Sequence, residues 1–330
     1  MRSHSALLIF AALLPLAGCA GRHDSDEKYY LVTTNKQVPY WTSAAAGLER
    51  AGREMRVPTE VAGPDNYDPK AEQEEFRRVV ARKPSGIMVS PADPNLLAPE
   101  IQAAVAQGIP VITIDSDAPN SKRLLFVGTN NYRAGTMGGE VAAKALKGRG
   151  NVAVFTMPGQ ANLDERLRGY RDVFAKSPAI KIAQIVDIKG DPRIAFDTTE
   201  QLLGDKKQKI DGFICLEALA GKEVAQVLNN FHISDRVVVA MDTDEDTLDW
   251  VRKGVIAATI AQKPFTMAYV AMQTLDDVHH NKPKSLDVNW AEDPFSPFGE
   301  FVDTGATLID KSNVDAFTQM QKTMAPGRRQ

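Results

Sequence analysis

From Tyr29 onward, short β-rich runs alternate with longer amphipathic stretches, and no other feature of the chain narrows its fold so far. Such alternation is the pattern of βαβ units wound around parallel sheets, an α/β fold. Strands are predicted over 29–34, 56–62, 86–90, 110–115 and 125–128, with helices over 41–55, 69–82 and 95–107 in the gaps. After Gly128 the pattern restarts, with helices over 132–146, 163–176, 194–203 and 219–229 and strands over 151–157, 180–187 and 211–216. One sheet of that many parallel strands would be unusual, so two doubly wound, Rossmann-like lobes are expected, divided near Asn130. A helix over 264–280, a Pro-rich stretch to Pro297, a strand over 301–309 and a helix over 314–324 complete the chain.

The first 18 residues hold one positive charge, Arg2, and an apolar run of 12 residues from Ala6 to Ala17. A transmembrane helix needs about 20 residues to cross roughly 30 Å of hydrocarbon, so this run reads as a cleaved signal peptide. It ends in Leu16-Ala17-Gly18-Cys19, which resembles the bacterial lipobox and implies an acylated Cys19, a polar tether over 19–28 and membrane attachment by lipid alone. The expectation is a periplasmic or otherwise extracytoplasmic monomer. Cys215 is the only other cysteine, so no internal disulfide is available and packing must hold the fold. The net charge of −3, with no basic run and no helix-turn-helix before the first strand, argues against nucleic acid as a partner.

Ligands of open α/β sheets sit outside the carboxyl ends of the strands, and two apolar runs within 237–264 stop there on hydrogen-bonding side chains, Asp242 and Gln262. The alternative for Asp242 is to cap the helix that begins near Asp244. After the first strand come Tyr40 and Trp41, whose flat rings can cover the C–H face of a ligand or staple the first helix into its core. The third predicted strand ends at Ser90 and the fourth at Asp115, whose carboxylate can accept from two neighbouring hydroxyls. Asp93 reads as a helix cap.

This order of parts resembles the ribose- and galactose-type periplasmic sugar-binding proteins, the type 1 periplasmic binding proteins. The resemblance implies three chain crossings between the lobes, with 29–130 plus 263–297 in the first and 131–262 plus 298–330 in the second. It implies that Asn131 lies at the first crossing as an amide contact. Glu165-Arg166-x-x-Gly169-Tyr170 matches the family's helix start and carries over Arg166, while Asp164 stands where ribose binders place a ligand-contacting Arg. Glu217 stands where many relatives have Asn, and Asp191 near a second-lobe aromatic position. If Asp115, Asp164, Glu217 and Asp242 share one cleft, a sugar acid meets like charge, and a neutral sugar, a polyol or an amine-bearing ligand is favoured. The implied role is capture of a sugar for an ABC permease, without catalysis or cofactor. Docking on a chemoreceptor or histidine kinase is the alternative, and a glycoside-cleaving enzyme the more distant one.

Other signals fail on their own spacing. Asp242-Thr243-Asp244 imitates a calcium loop but has Thr247 at the sixth position and Lys253 at the twelfth. Gly135, Gly138 and Gly139 lie inside a helix, which suggests close helix packing rather than a dinucleotide site. His279-His280 has no third ligand at useful spacing, so no metal site is expected and the pair reads as a solvated helix end.

Overall fold

The computed structural model describes residues 23–324 apart from 206, 208 and 291; the signal peptide and Cys19 expected above lie outside the described residues. Two lobes wind in the same order. In the first, β1 (Tyr29–Val32), β2 (Thr59–Ala62), β3 (Gly86–Val89), β4 (Val111–Ile114) and β5 (Phe126–Gly128) pair in parallel as β5-β4-β3-β1-β2. Helices α1 (Pro39–Met55), α2 (Pro69–Ala81) and α3 (Pro94–Ala106) connect the first four. In the second, β6 (Arg149–Thr156), β7 (Ala179–Asp187), β8 (Gly212–Cys215), β9 (Val237–Met241) and β10 (Ala258–Ala261) pair as β10-β9-β8-β6-β7. Helix α4 (Asn131–Ala145) precedes that lobe's first strand, and α5 (Ala161–Ala175), α6 (Pro192–Gly204), α7 (Ala220–Asn230) and α8 (Glu245–Lys253) connect its strands. Helix α9 (Pro264–His280) returns to the first lobe and packs on α1.

Strand β1 shows why these runs are so apolar. All four of its residues are buried, Tyr29 and Leu31 in the core beneath α1 and α9, Tyr30 and Val32 in the core beneath α2 and α3. Alternate residues face opposite sides, so a strand covered on both faces must be apolar throughout. Helix starts are set by Asp-Pro pairs: Asp68, Asp93 and Asp191 accept backbone N–H groups at the entrances of α2, α3 and α6, and each is followed by Pro at the first helical position.

The end of the chain departs from the sequence reading. The strand expected over 301–309 is two strands in different sheets: β11 (Phe301–Asp303) runs parallel to β5, and β12 (Thr307–Asp310) runs antiparallel to β10. Helix α10 (Val314–Met324) follows. The third crossing therefore falls at 304–306, not at the expected boundary after 297. Gly305 turns the chain there at φ +81°, and the Asp303 carboxylate accepts from the N–H groups of Asn130 (3.1 Å) and Gly305 (2.8 Å), tying the first and third crossings together. Likewise β2 starts later than expected, because Arg56 takes a left-handed conformation to close α1.

Helices α4 and α5 touch through glycine. A Cβ built on Gly135 would stand 2.1 Å from the carbonyl oxygen of Arg166, so the backbones can approach only without a side chain there. That contact seats Arg166 at the cleft. Gly135→Ala is expected to destabilise the chain by about 1–3 kcal/mol in urea unfolding; an unchanged midpoint would contradict the close packing.

Candidate functional site

The carboxyl ends of both sheets face one another across a cleft of about 540 Å3. The first lobe contributes Asn35, Tyr40, Trp41 and Tyr67 from its loops and the start of α1, with Asp115 at the end of β4. The second contributes Gln160, Asn162 and Arg166 around the start of α5, and Glu217, Asp242 and Gln262 after β8, β9 and β10. The lobes meet across this space: Asn162 Nδ2 donates to Asp115 Oδ2 at 3.2 Å, and Tyr67 lies against Gly190, where a Cβ would come within 2.3 Å of the Tyr67 Cβ.

Asp115 and Asp242 end equivalent strands of the two lobes, and both hold left-handed backbone angles, φ 62° and 67°. Asp tolerates that region better than most residues, but it is still costly, and such strain gathers at functional sites. Asp115 also accepts from Tyr40 Oη at 2.7 Å and Ser90 Oγ at 3.2 Å. Asp242 Oδ1 accepts from Gln262 Nε2 at 3.0 Å, so Asp242 is no helix cap; Asp244 does that work for α8. Gln262 Oε1 in turn accepts from Thr129 Oγ1 (3.0 Å) and Arg166 Nη2 (2.7 Å), while Arg166 donates from Nε to Asn131 Oδ1 (2.8 Å) and from Nη1 to the Leu216 carbonyl (2.7 Å). Arg166 is 2% exposed, and its guanidinium's hydrogen bonds to the described residues all go to neutral oxygens.

Three buried carboxyls thus share the field of one buried cation. Burial pushes Asp242 up to about 7, with Arg166 and the Gln262 bond pulling the other way and the Asp115 and Asp244 charges adding to the rise. Burial also pushes Glu217 up to about 7, against the N–H groups of Leu219 (2.5 Å) and Ala220 (3.0 Å) that its oxygens accept at the entrance of α7. Asp115 is raised by burial too, with Arg166 and its three donors opposing. Hydroxyl donors arriving at these oxygens would favour their charged forms, which a bare cleft disfavours.

Of the residues singled out from sequence, Tyr40, Trp41, Asp115, Arg166, Glu217, Asp242 and Gln262 line the cleft. Trp41 divides its surface between core and cleft, with Tyr40 edge-on at 5.1 Å. Ser90 and Asn131 stand behind the wall, holding Asp115 and Arg166 by the bonds above. Asp164 and Asp191 are elsewhere. Asp164 is exposed and faces the Gly159 N–H at 3.3 Å, and Asp191 caps α6 and pairs with Arg193 at 2.6 Å. Two residues along a helix turn the side chain by roughly 200°, so the cleft receives Asn162 and Arg166 from α5 but not Asp164. Tyr67, Gln160 and Asn162 were missed; only the Asn162–Arg166 spacing of one helical turn hinted at a shared face.

The sequence matches the family described as periplasmic binding protein domain over residues 29–283. Among curated proteins, the ribose import binding protein RbsB of Bacillus subtilis is 22% identical over 250 residues, 74% of this chain and 79% of that one. Among solved structures, AraP, an arabinose binding protein from Geobacillus stearothermophilus, is 35% identical with a TM-score of 0.72, covering 88% of this chain and 99% of its own. The XylFII–LytSN complex contains a chain 28% identical with a TM-score of 0.77, covering 87% of this chain and 98% of its own.

The raised carboxyls fix a pH dependence. Asp242 and Glu217, with Glu72 on α2, which burial pushes up to about 8, hold protons in the folded state that the unfolded chain has shed above its ordinary values of 3.8 and 4.5, so these groups make stability of the ligand-free protein fall as pH rises from about 4 to about 8. Melting temperatures across that window should show the decline, and Asp242→Asn should flatten it. A decline of equal size in the variant would remove Asp242 as a cause.

Proposed function

This chain belongs to the periplasmic binding protein domain family, and from that premise we propose that it captures a neutral sugar or polyol in the interlobe cleft and hands it, unaltered, to an ABC permease. The carrying observation is the pair of left-handed carboxylates, Asp115 and Asp242, at matching strand ends of the two lobes. A polyhydroxylated ring offers hydroxyl donors on its edge to these oxygens and to Glu217, while Tyr40, Trp41 and Tyr67 supply flat apolar surface for its C–H face. The ribose and arabinose named for the relatives are ligands of this chemistry. Each charge-assisted bond contributes about 1.5–3 kcal/mol, and three or four of them less the cost of immobilisation give a dissociation constant near micromolar, roughly −8 kcal/mol.

Capture depends on closure. A ligand that touches both lobes makes its full set of contacts only when they meet, so it shifts an open-closed equilibrium by its differential affinity, and the permease reads the closed shape. Acylation of Cys19 would hold the protein at the outer face of a membrane beside that permease. The similarity to a chain of the XylFII–LytSN complex supports a second reading, in which the loaded protein docks on another receptor instead.

A thermal-shift screen of monosaccharides and polyols tests the proposal. A ligand at a hundredfold excess over its dissociation constant should stabilise by about 2.7 kcal/mol, and Asp242→Ala should abolish that shift. Tighter binding of a uronic acid than of its parent neutral sugar would overturn the assignment of ligand class. Gly190→Ala puts a methyl into Tyr67 only when the lobes are together, so it should weaken binding of the same sugar at least about tenfold by calorimetry, equivalent to about 1.4 kcal/mol. Undiminished affinity would mean that the lobes bind without meeting there.

A further inference from the structure

At the amino end of β1, the edge of the first sheet opposite the cleft, four side chains converge from two distant segments. His23 and Glu27 come from the turn that leads into β1; Asp276 and His280 stand one helical turn apart near the end of α9. One donor atom from each lies within 4.8 Å of all the others. His23 Nδ1 is 2.9 Å from Glu27 Oε2 and 3.4 Å from Asp276 Oδ1, and His280 Nε2 is 3.3 Å from Glu27 Oε1. A tetrahedral ion with bonds of about 2.0–2.1 Å holds its ligand atoms about 3.3 Å apart. The sequence reading of His279-His280 as a solvated helix end is thereby corrected for His280, whose imidazole is part of this cluster.

Three further contacts orient the group. His280 Nδ1 lies 2.8 Å from the Asp276 backbone carbonyl, which can only accept, so Nδ1 donates there and Nε2 is the nitrogen turned toward Glu27. Binding the far imidazole nitrogen to a carbonyl in this way is how metal-ligating histidines are held. Tyr29 Oη donates to Asp276 Oδ1 at 3.4 Å, and the Asp24 N–H donates to Glu27 Oε1 at 2.6 Å. Both carboxylates are 3% exposed. Paired buried carboxylates need compensating positive charge, and one divalent ion supplies it.

We propose that His23, Glu27, Asp276 and His280 form a structural zinc site that clamps the segment before β1 to helix α9. Two imidazoles with two carboxylates suit Zn2+ rather than Ca2+ or Mg2+, which take oxygen ligands in larger shells, or Cu+, which prefers sulfur. Four protein ligands complete the tetrahedron and leave no open position for substrate, which makes the site structural rather than catalytic. The clamp fixes where the amino-terminal segment leaves the first lobe, and it lies away from the cleft.

The test uses the full untagged chain, stripped with a chelator and titrated with Zn2+ alone. One equivalent should bind, raise the melting temperature and give way to neither Ca2+ nor Mg2+. His23→Ala and, separately, His280→Ala should each weaken Zn2+ binding by about tenfold or more, while Asp242→Ala, in the cleft, retains it. Co2+ in place of Zn2+ reports the geometry without any substitution, through the visible bands of a tetrahedral site. Absence of saturable Zn2+ binding by the parent chain, octahedral Co2+ bands, or an affinity unchanged from the parent in both histidine variants would overturn the proposal.

Discussion

The cleft is organised by a shortage of positive charge. Asp115, Glu217 and Asp242 are all buried at strand ends, and the one guanidinium among them, Arg166, gives its hydrogen bonds to neutral oxygens instead of to the carboxylates. Donors do reach them, three at Asp115, two at Glu217 and one at Asp242, but desolvation outweighs those bonds, which is why burial dominates their titration. A ligand rich in hydroxyl donors adds to those the protein supplies. The same arrangement disfavours an anionic guest, since its charge would meet carboxylates held in a low-dielectric wall.

The fold delivers these groups through repetition. Both lobes share one winding order, so the end of β4 in the first and the end of β9 in the second present an aspartate at corresponding points, each with the same unusual backbone angle. The crossings are hydrogen-bonded to the site as well as to each other. Gln262, at the second crossing, joins Thr129 at the first to Asp242 and Arg166 in the cleft. Hinge geometry and binding geometry are therefore linked through one amide side chain, a route by which closure can be felt at the carboxylates.

Much of this was legible in the residues, because fully buried strands are apolar without interruption and stop abruptly at polar side chains. That made the ends of β4, β9 and β10 readable as Asp115, Asp242 and Gln262. What failed was phase and distance. Starting α5 two residues late in the sequence reading gave no way to choose Asn162 over Asp164, and an Asp before Pro at 191 turned out to be a cap, as at 68 and 93. The split between β11 and β12 was hidden because each is short and only partly buried, so neither has the uninterrupted apolar run that marks a strand end. The cluster at the foot of β1 was out of reach for another reason: its two pairs have ordinary helical spacing, and only the return of α9 to the first lobe brings them together.

The central claim is that carboxyls pushed up by burial receive further donors from a neutral guest. Calorimetry of the most stabilising sugar near pH 7, in two buffers of different ionisation enthalpy, counts the protons exchanged on binding. Hydroxyl donors lower the raised carboxyls, so the account predicts net proton release that shrinks in Asp242→Asn. Proton uptake, or no exchange across the range where Asp242 and Glu217 titrate, would contradict it.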